Sequence, residues 1–291
     1  MSAPPNNSDQ LSARFRKSLN THGYSFQYAV IRRVHELTNA GTSTWLFDGA
    51  EFPVVGGDET THIDFILRWR PGGVYLVGEC KRADPAIAHW CFARAPYTWR
   101  NSRPNEVTFE QLHVTDDGQR RMIHRAKFGY TGGDDERVYH LGFELRTTEQ
   151  GDGSGHGGQA INKAVTQVLR GTSGLIVHLS DFARSNWSAG RADTFIPAIF
   201  TTAQIWVTDA DVGSADLATG NLAPDAVEAR KVNWIWFAHN RSPRLQPSVG
   251  SENPNGELSA TLRRDHARAI AIISPDGIDE FLQSDLGGWL T

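Results

Sequence analysis

At 291 residues the chain has room for one large domain or two small ones, and its hydrophobic (39%) and charged (21%) fractions exclude a disordered or collagen-like polymer. No apolar run approaches the roughly 20 residues of a bilayer-spanning helix, and two cysteines, Cys80 and Cys91, exclude a disulfide framework. The opening MSAPPNNSDQ lacks the basic and apolar regions of a secretory signal, so a reducing cytoplasm is the expected compartment and no membrane partner is expected. A formal net charge of −4 does not by itself advertise a nucleic-acid ligand, although such a total is compatible with cations gathered in one cleft.

In chain order, residues 1–8 read as disordered. Ser8-Asp9 caps a short helix to about Leu19, with Leu11, Phe15 and Leu19 on one stripe. His22-Gly23 breaks it. Ser25 caps a second helix, Phe26 to Thr38, closed by Asn39-Ala40-Gly41. Its inward stripe is Phe26/Gln27, Val30/Ile31, Val34 and Leu37, so Gln27 is a polar residue on a buried face. Glu36 lies nearly opposite, beside Arg32 at i, i+4, as a solvated pair. Thr44–Phe47 and Phe52–Val55 read as short strands separated by Asp48-Gly49.

The informative stretch is Thr61–Arg82, THIDFILRWRPGGVYLVGECKR. It reads as two strands joined at Arg70-Pro71-Gly72-Gly73. Pairing Trp69 with Val74 sets Asp64 opposite Glu79 and His62 opposite Lys81. Alternation puts His62, Asp64, Ile66 and Arg68 on one face and Ile63, Phe65, Leu67 and Trp69 on the other. Directly opposed residues sit about 5 Å apart at Cβ. Two carboxylates at that spacing repel and raise each other's pKa. A divalent cation removes the conflict, and Mg2+ favours one or two carboxylates together with phosphate oxygens. Lys81 shares the face of Glu79 and is placed to hold a water or steady phosphate charge. The plain alternative is an amphipathic hairpin with solvated charges, but charges within apolar strands need a reason to be there.

Beyond the hairpin, Asp84-Pro85 starts a helix to about Ala95. Arg94, Arg100 and Arg103 interleave with Trp90, Tyr97 and Trp99, a composition that suits either a nucleic-acid track or a loop packed on the core. Val107–Phe109, Leu112–Val114, Met122–Ile123 and Val138–Leu145 alternate as strands, with Asp116-Asp117-Gly118 as a turn and a basic run at Arg120, Arg121, Arg125 and Lys127. Gly153, Gly155 and Gly158 match G-x-G-x-x-G, yet no compact βαβ unit surrounds them and no Lys-Ser/Thr follows, so the stretch reads as a linker. A helix runs from Gln159 to about Ser180, through Gly171 and Gly174, with Lys163 and Gln167 adjacent on its surface. Thr194–Asp209 is an apolar strand region in which Ala203–Val207 pairs beyond the core sheet. Val232–Ala238 and Arg268–Ile273 are further strands, 242–257 is a loop, and Asp276 opens a terminal helix.

Asp64 followed by Glu79-Cys80-Lys81 resembles the PD-(D/E)XK nuclease superfamily, whose restriction-endonuclease-like core runs helix, three strands, helix, strand. Ile63 stands where the motif's name has Pro, a position that varies widely among members. The resemblance implies an α/β fold with a mixed sheet flanked by helices. The chain reads as a single nuclease domain over 1–291, with the core at about 24–96 and 159–209. A β-rich insertion occupies about 97–158 and a β-rich C-terminal extension about 210–291. It also implies that Asp64, Glu79 and the Cys80 carbonyl hold Mg2+, with Mn2+ as a substitute, that Lys81 assists hydrolysis, and that Gln27 supports the site. The expected activity is endonucleolytic cleavage of DNA leaving 5′-phosphates. Members often serve restriction, phage defence or repair and often cut two strands by pairing two sites, which makes a homodimer and a defence-system partner protein further expectations.

Other chemistries have less support. No H-E-x-x-H, H-x-H or C-x-x-C motif offers a zinc site, and no G-x-S-x-G elbow offers a nucleophilic serine. A carboxylate pair also suits glycoside hydrolysis, but the adjoining Lys81 fits phosphate chemistry better. From other classes, the alternatives are a catalytically inert nucleic-acid-binding or assembly protein on the same fold, or an RNase.

Overall fold

The computed structural model describes residues 7–56, 59–95, 106–114, 121–129, 138–146, 158–182, 192–240 and 267–284. The aromatics and arginines at Tyr97, Trp99, Arg100 and Arg103, the Asp116–Gly118 turn, Arg120, the side chains of Arg121, Arg125 and Lys127, most of the glycine-rich linker and the 242–257 loop lie outside those residues. So does the N-terminal end of the stretch read as disordered.

Helices α1 (Asn7–Thr21) and α2 (Tyr24–Asn39) open the chain. The break falls at His22-Gly23, as the sequence predicts, because Gly23 takes φ +81°, which costs glycine little. α2 starts one residue before Ser25 and has no side-chain cap. Its stripe of Gln27, Val30, Ile31, Val34 and Leu37 is buried. The stripe of α1 is not: Leu11 and Phe15 are 63% and 66% exposed.

Strands β1 (Trp45–Gly56), β2 (Glu59–Trp69) and β3 (Val74–Lys81) follow as an antiparallel meander. The two short strands expected before the hairpin are one strand with a bulge. The register slips between Phe47 and Gly49, and extruded Asp48 pairs with Arg68 at 3.3 Å. The β2–β3 turn keeps the predicted register, with Arg68 opposite Tyr75 and Phe65 opposite Gly78. Gly72 and Gly73 make this feasible by taking positive φ after Pro71.

The helix expected from Asp84-Pro85 to Ala95 is absent. Asp84 caps a single 3-10 turn, Pro85–Ile87, and the chain then extends as β4 (His89–Ala93). The run Trp90-Cys91-Phe92 is bulky and β-favouring, and β4 has partners on both edges, so sheet pairing overrides the local helix start. Strands β5 (Glu106–Val114), β6 (Arg121–Gly129), β7 (Val138–Tyr139) and β8 (Leu141–Leu145) complete the middle of the chain. Helix α3 (Gln159–Phe182) is continuous. Buried Glu144 accepts from the backbone N–H groups of Ala160 (2.6 Å) and Ile161 (2.9 Å), placing a carboxylate on the positive end of α3. Strands β9 (Ala192–Thr201), β10 (Gln204–Thr208), β11 (Arg230–Val232), β12 (Trp234–Asn240) and β13 (Ala267–Ile273) follow, then α4 (Ile278–Gln283).

The fold is mixed α/β. A nine-stranded mixed sheet has the path β1-β2-β3-β9-β13-β12-β7, with β5 joined to β9 and β6 to β5. β9 runs parallel to β3 over its whole length, from Val74–Thr194 to Lys81–Thr201. A second sheet has the order β11-β10-β4-β8. The apolar stretch read as 194–209 is therefore two strands in different sheets, and the chain crosses between them at Thr202-Ala203. α3 and the second sheet share one core with one face of the large sheet, through Ile161, Val165, Val168, Trp90, Phe92 and Ile205. α2 and α4 cover the other face through Val34, Leu76, Phe200, Trp236 and Phe281. Strands of the expected insertion and C-terminal extension are thus woven into the same two sheets as the expected core.

α3 lies close on β1 and β2 because it presents glycine there. A Cβ on Gly174 would stand 2.7 Å from Val54 Cβ and 2.9 Å from the Val55 carbonyl oxygen, and one on Gly171 would meet Ile63 at 3.1 Å. Gly174→Ala raises intrinsic helix propensity by about 1 kcal/mol, yet it forces backbone apart in a packed core. We expect a net destabilisation of about 1–3 kcal/mol in urea unfolding. A stabilised variant would contradict this packing.

A carboxylate and lysine cleft as the candidate active site

The strand pair β2–β3 supplies four of the five site residues expected from the sequence, and α2 supplies the fifth. Backbone pairing of β2 with β3 ends at Phe65 and Gly78. Beyond that point the carboxylate of Asp64 takes over, its Oδ2 accepting the Cys80 N–H at 2.6 Å. Asp64 thus bridges the two strands where the ladder stops. Glu79, only 6% exposed, receives an ion pair from Lys81, with Nζ 2.5 Å from Oε1. Asp64, Glu79, Cys80, Lys81 and Gln27 all line one strongly polar cleft of about 380 Å³. His62 and the α2 entry, His22-Gly23-Tyr24, line the same cleft.

One residue emerges that the sequence did not single out, and one of two helix residues that it did single out reaches the cleft. Glu51 lies on β1 between the pairs Ala50–Phe65 and Phe52–Ile63, and so stands at the register position across from Asp64. It takes φ +52°, the one positive φ outside glycine among the described residues, at a cost of about 1–3 kcal/mol. Gln27 Nε2 donates to Glu51 Oε1 at 2.5 Å. Gln27 lines the cleft and is tied there to Glu51, while Glu36 stays on the exposed face with Arg32 and Arg33. Of Lys163 and Gln167, the two α3 residues the sequence offers as able to reach the site, Gln167 lines the cleft, its Oε1 buried without a hydrogen-bond partner. The signal for Glu51 was a third acid immediately before the strand expected at Phe52–Val55. For Gln167 it was position on α3, where Lys163, exposed, does not line the cleft.

One detail of the predicted alternation fails here. Ile63 packs with Ile66 and Val77 under α3, while Phe65 packs with Leu67 on the α2 side. The two-residue period breaks across Asp64, where the left-handed Glu51 interrupts the neighbouring ladder. Trp90 is a core residue rather than part of a nucleic-acid track. Arg94 pairs with Asp209 at 3.4 Å and lies over the Tyr139 ring.

The electrostatics follow from burial and crowding. Desolvation, reinforced by Glu79 and Glu51, pushes the Asp64 carboxyl up from 3.8 to about 7, against the lowering effects of the Cys80 N–H and Lys81. Glu79 is also pushed up, by desolvation first, and Lys81 only partly offsets this. Burial pushes the Cys80 thiol well above its usual range, so the thiol is not an anionic ligand at neutral pH.

The donors present fit a hard divalent cation. They are carboxylate oxygens whose ionisation is disfavoured for want of positive charge, in a polar cleft open to water. Among the described residues no group of three or more His, Cys, Asp and Glu is placed to hold a metal ion. A cation held here by two carboxylates would complete its coordination with waters.

Because the folded pKa of Asp64 stands above its unfolded value, folding retains a proton there between about pH 4 and about pH 7. That contribution to stability is fully present below the unfolded value and is lost as pH rises through the folded one. The melting temperature of cation-free protein is expected to fall between about pH 5 and about pH 8, and Asp64→Asn to flatten that fall. Equal pH slopes for variant and wild type would contradict the assignment. In comparisons with known proteins, no family model, no curated protein and no solved structure matches this chain.

Proposed function

We propose that the chain is a Mg2+-dependent endonuclease that hydrolyses phosphodiester bonds in DNA. The observation that carries this reading is the convergence of Asp64, Glu79 and Lys81 in one polar cleft. The order of elements supports it. With the intervening β4–β8 set aside as an insertion, α2, the antiparallel β1-β2-β3, α3 and then β9 parallel to β3 come in the helix, three strands, helix, strand order of restriction-endonuclease-like enzymes.

In this reading Asp64 and Glu79, with the Cys80 carbonyl, hold Mg2+ or Mn2+. The chemistry such an ion supplies is activation of a bound water and neutralisation of phosphate charge. The protein's own groups do the rest. The Cys80 N–H fixes the Asp64 carboxylate so that it needs no reorganisation. Lys81, held by Glu79 in the resting cleft, turns its ammonium to the attacking water or to the non-bridging phosphate oxygens as charge develops. Water oxygen bonds to phosphorus and the bond to the 3′-oxygen breaks. A proton passes to that leaving oxygen, and the 5′-phosphate remains on the other fragment.

Supercoiled plasmid with Mg2+ tests the proposal. Wild type is expected to nick or linearise it, chelation to stop it, and Asp64→Asn or Lys81→Ala to slow it by about 100-fold or more. Variants that cut as well as wild type would remove these residues from the mechanism. Wild type that binds DNA without cutting it favours the inert binding protein, and cleavage confined to RNA favours the RNase.

A further inference from the structure

Glu51 is the feature of the cleft that no part of the reading above uses. It enters from a third strand, at the position across from Asp64, with a backbone conformation that a side-chain-bearing residue rarely adopts. A buried glutamine, 6% exposed, holds its carboxylate. One explanation is purely structural, with Glu51 as the acceptor that ties α2 to the sheet. A neutral acceptor would serve that purpose as well. It would also spare the fold a third negative charge beside two carboxyls already hard to ionise, a charge that acts on both of them.

The charge count gives a second explanation. Asp64, Glu79 and Glu51 contribute three negative charges and Lys81 one positive, so with its histidines neutral this part of the cleft carries −2 when all four groups are ionised. One divalent cation cancels that total. We infer that Glu51 is a positioning residue for the cation: held by Gln27, its charge raises the affinity of the Asp64–Glu79 pair for Mg2+ or Mn2+. The inference rests on the proposed cation-dependent reading of this cleft. It concerns a residue outside the motif that suggested that reading.

Glu51→Gln isolates the charge, because the substituted amide oxygen still accepts from Gln27. Equilibrium Mn2+ binding to the cation-free full chain, by titration calorimetry, supplies the first readout. Thermal melting without added cation supplies the second. The variant is expected to bind Mn2+ about 10- to 100-fold more weakly than wild type. Without cation it is expected to melt no lower than wild type, since a like charge has been removed and the anchoring hydrogen bond kept. A variant that binds Mn2+ as tightly as wild type overturns the inference and leaves the cation site standing. A variant that loses binding and also melts well below wild type without cation overturns it in favour of the structural role. Wild type that takes up no Mn2+ overturns both the parent reading and this one.

Discussion

Like charge gathered at one end of a strand pair is the constraint on which the candidate site depends. Asp64 on β2, Glu79 on β3 and Glu51 on β1 bring carboxylates from three adjacent strands to one cleft, against a single lysine. Both central carboxyls respond as burial and crowding demand, by holding protons more tightly than they would in water. A sheet selected for stability alone would place apolar or alternating charges there. The protein instead fixes each acid in place: Asp64 by a backbone N–H, Glu79 by Lys81, and Glu51 by Gln27.

The rest of the fold keeps that arrangement rigid. β3 and the second half of β2 are buried on both faces, by the α3-side core on one side and the α2- and α4-side core on the other. β9 lies parallel to β3 along the full length of the strand that carries Glu79 and Lys81. Gly171 and Gly174 let α3 approach β1 and β2 closely, which brings Gln167 to the cleft wall. At the other wall the left-handed Gly23 ends α1 and starts α2 so that Gln27 faces the sheet. The irregular positions gather near the acids: a ladder that stops at Phe65 and Gly78, and a left-handed residue at Glu51. Strain of this kind persists only where the surroundings enforce it.

Much of this was legible in the sequence because it is local. A turn of known length fixes register, so counting from Arg70-Pro71-Gly72-Gly73 predicts the strand pairs as far as Phe65–Gly78; one step beyond, Asp64 and Glu79 share the cleft, but the Asp64 carboxylate bonds the Cys80 N–H in place of a continued ladder. Helical periodicity located α2 and turned Gln27 inward, and it carried α3 through two glycines. What was missed is non-local. Whether the stretch after Asp84 becomes helix or strand depends on partners about 50 and 115 residues further along, and no local pattern reports that β10 and β8 will flank it. The apolar run from Thr194 reads as one strand region with Ala203–Val207 pairing beyond the core sheet; that β10 belongs to a second sheet, entered at Thr202-Ala203, is a non-local outcome. Glu51 escapes notice for a different reason: it falls between the two short strands expected at Thr44–Phe47 and Phe52–Val55, which are one strand with a bulge, and its left-handed backbone at φ +52° is not reported by any alternation pattern.

The most direct test of the central claim is anomalous diffraction from crystals of the protein soaked in Mn2+. The account predicts one strong manganese peak within coordination distance of Asp64 and Glu79, about 2.2 Å from their oxygens, and loss of that peak in Glu79→Gln crystals. Soaked crystals with no manganese at this cleft, or with manganese unaffected by the Glu79 substitution, would contradict it.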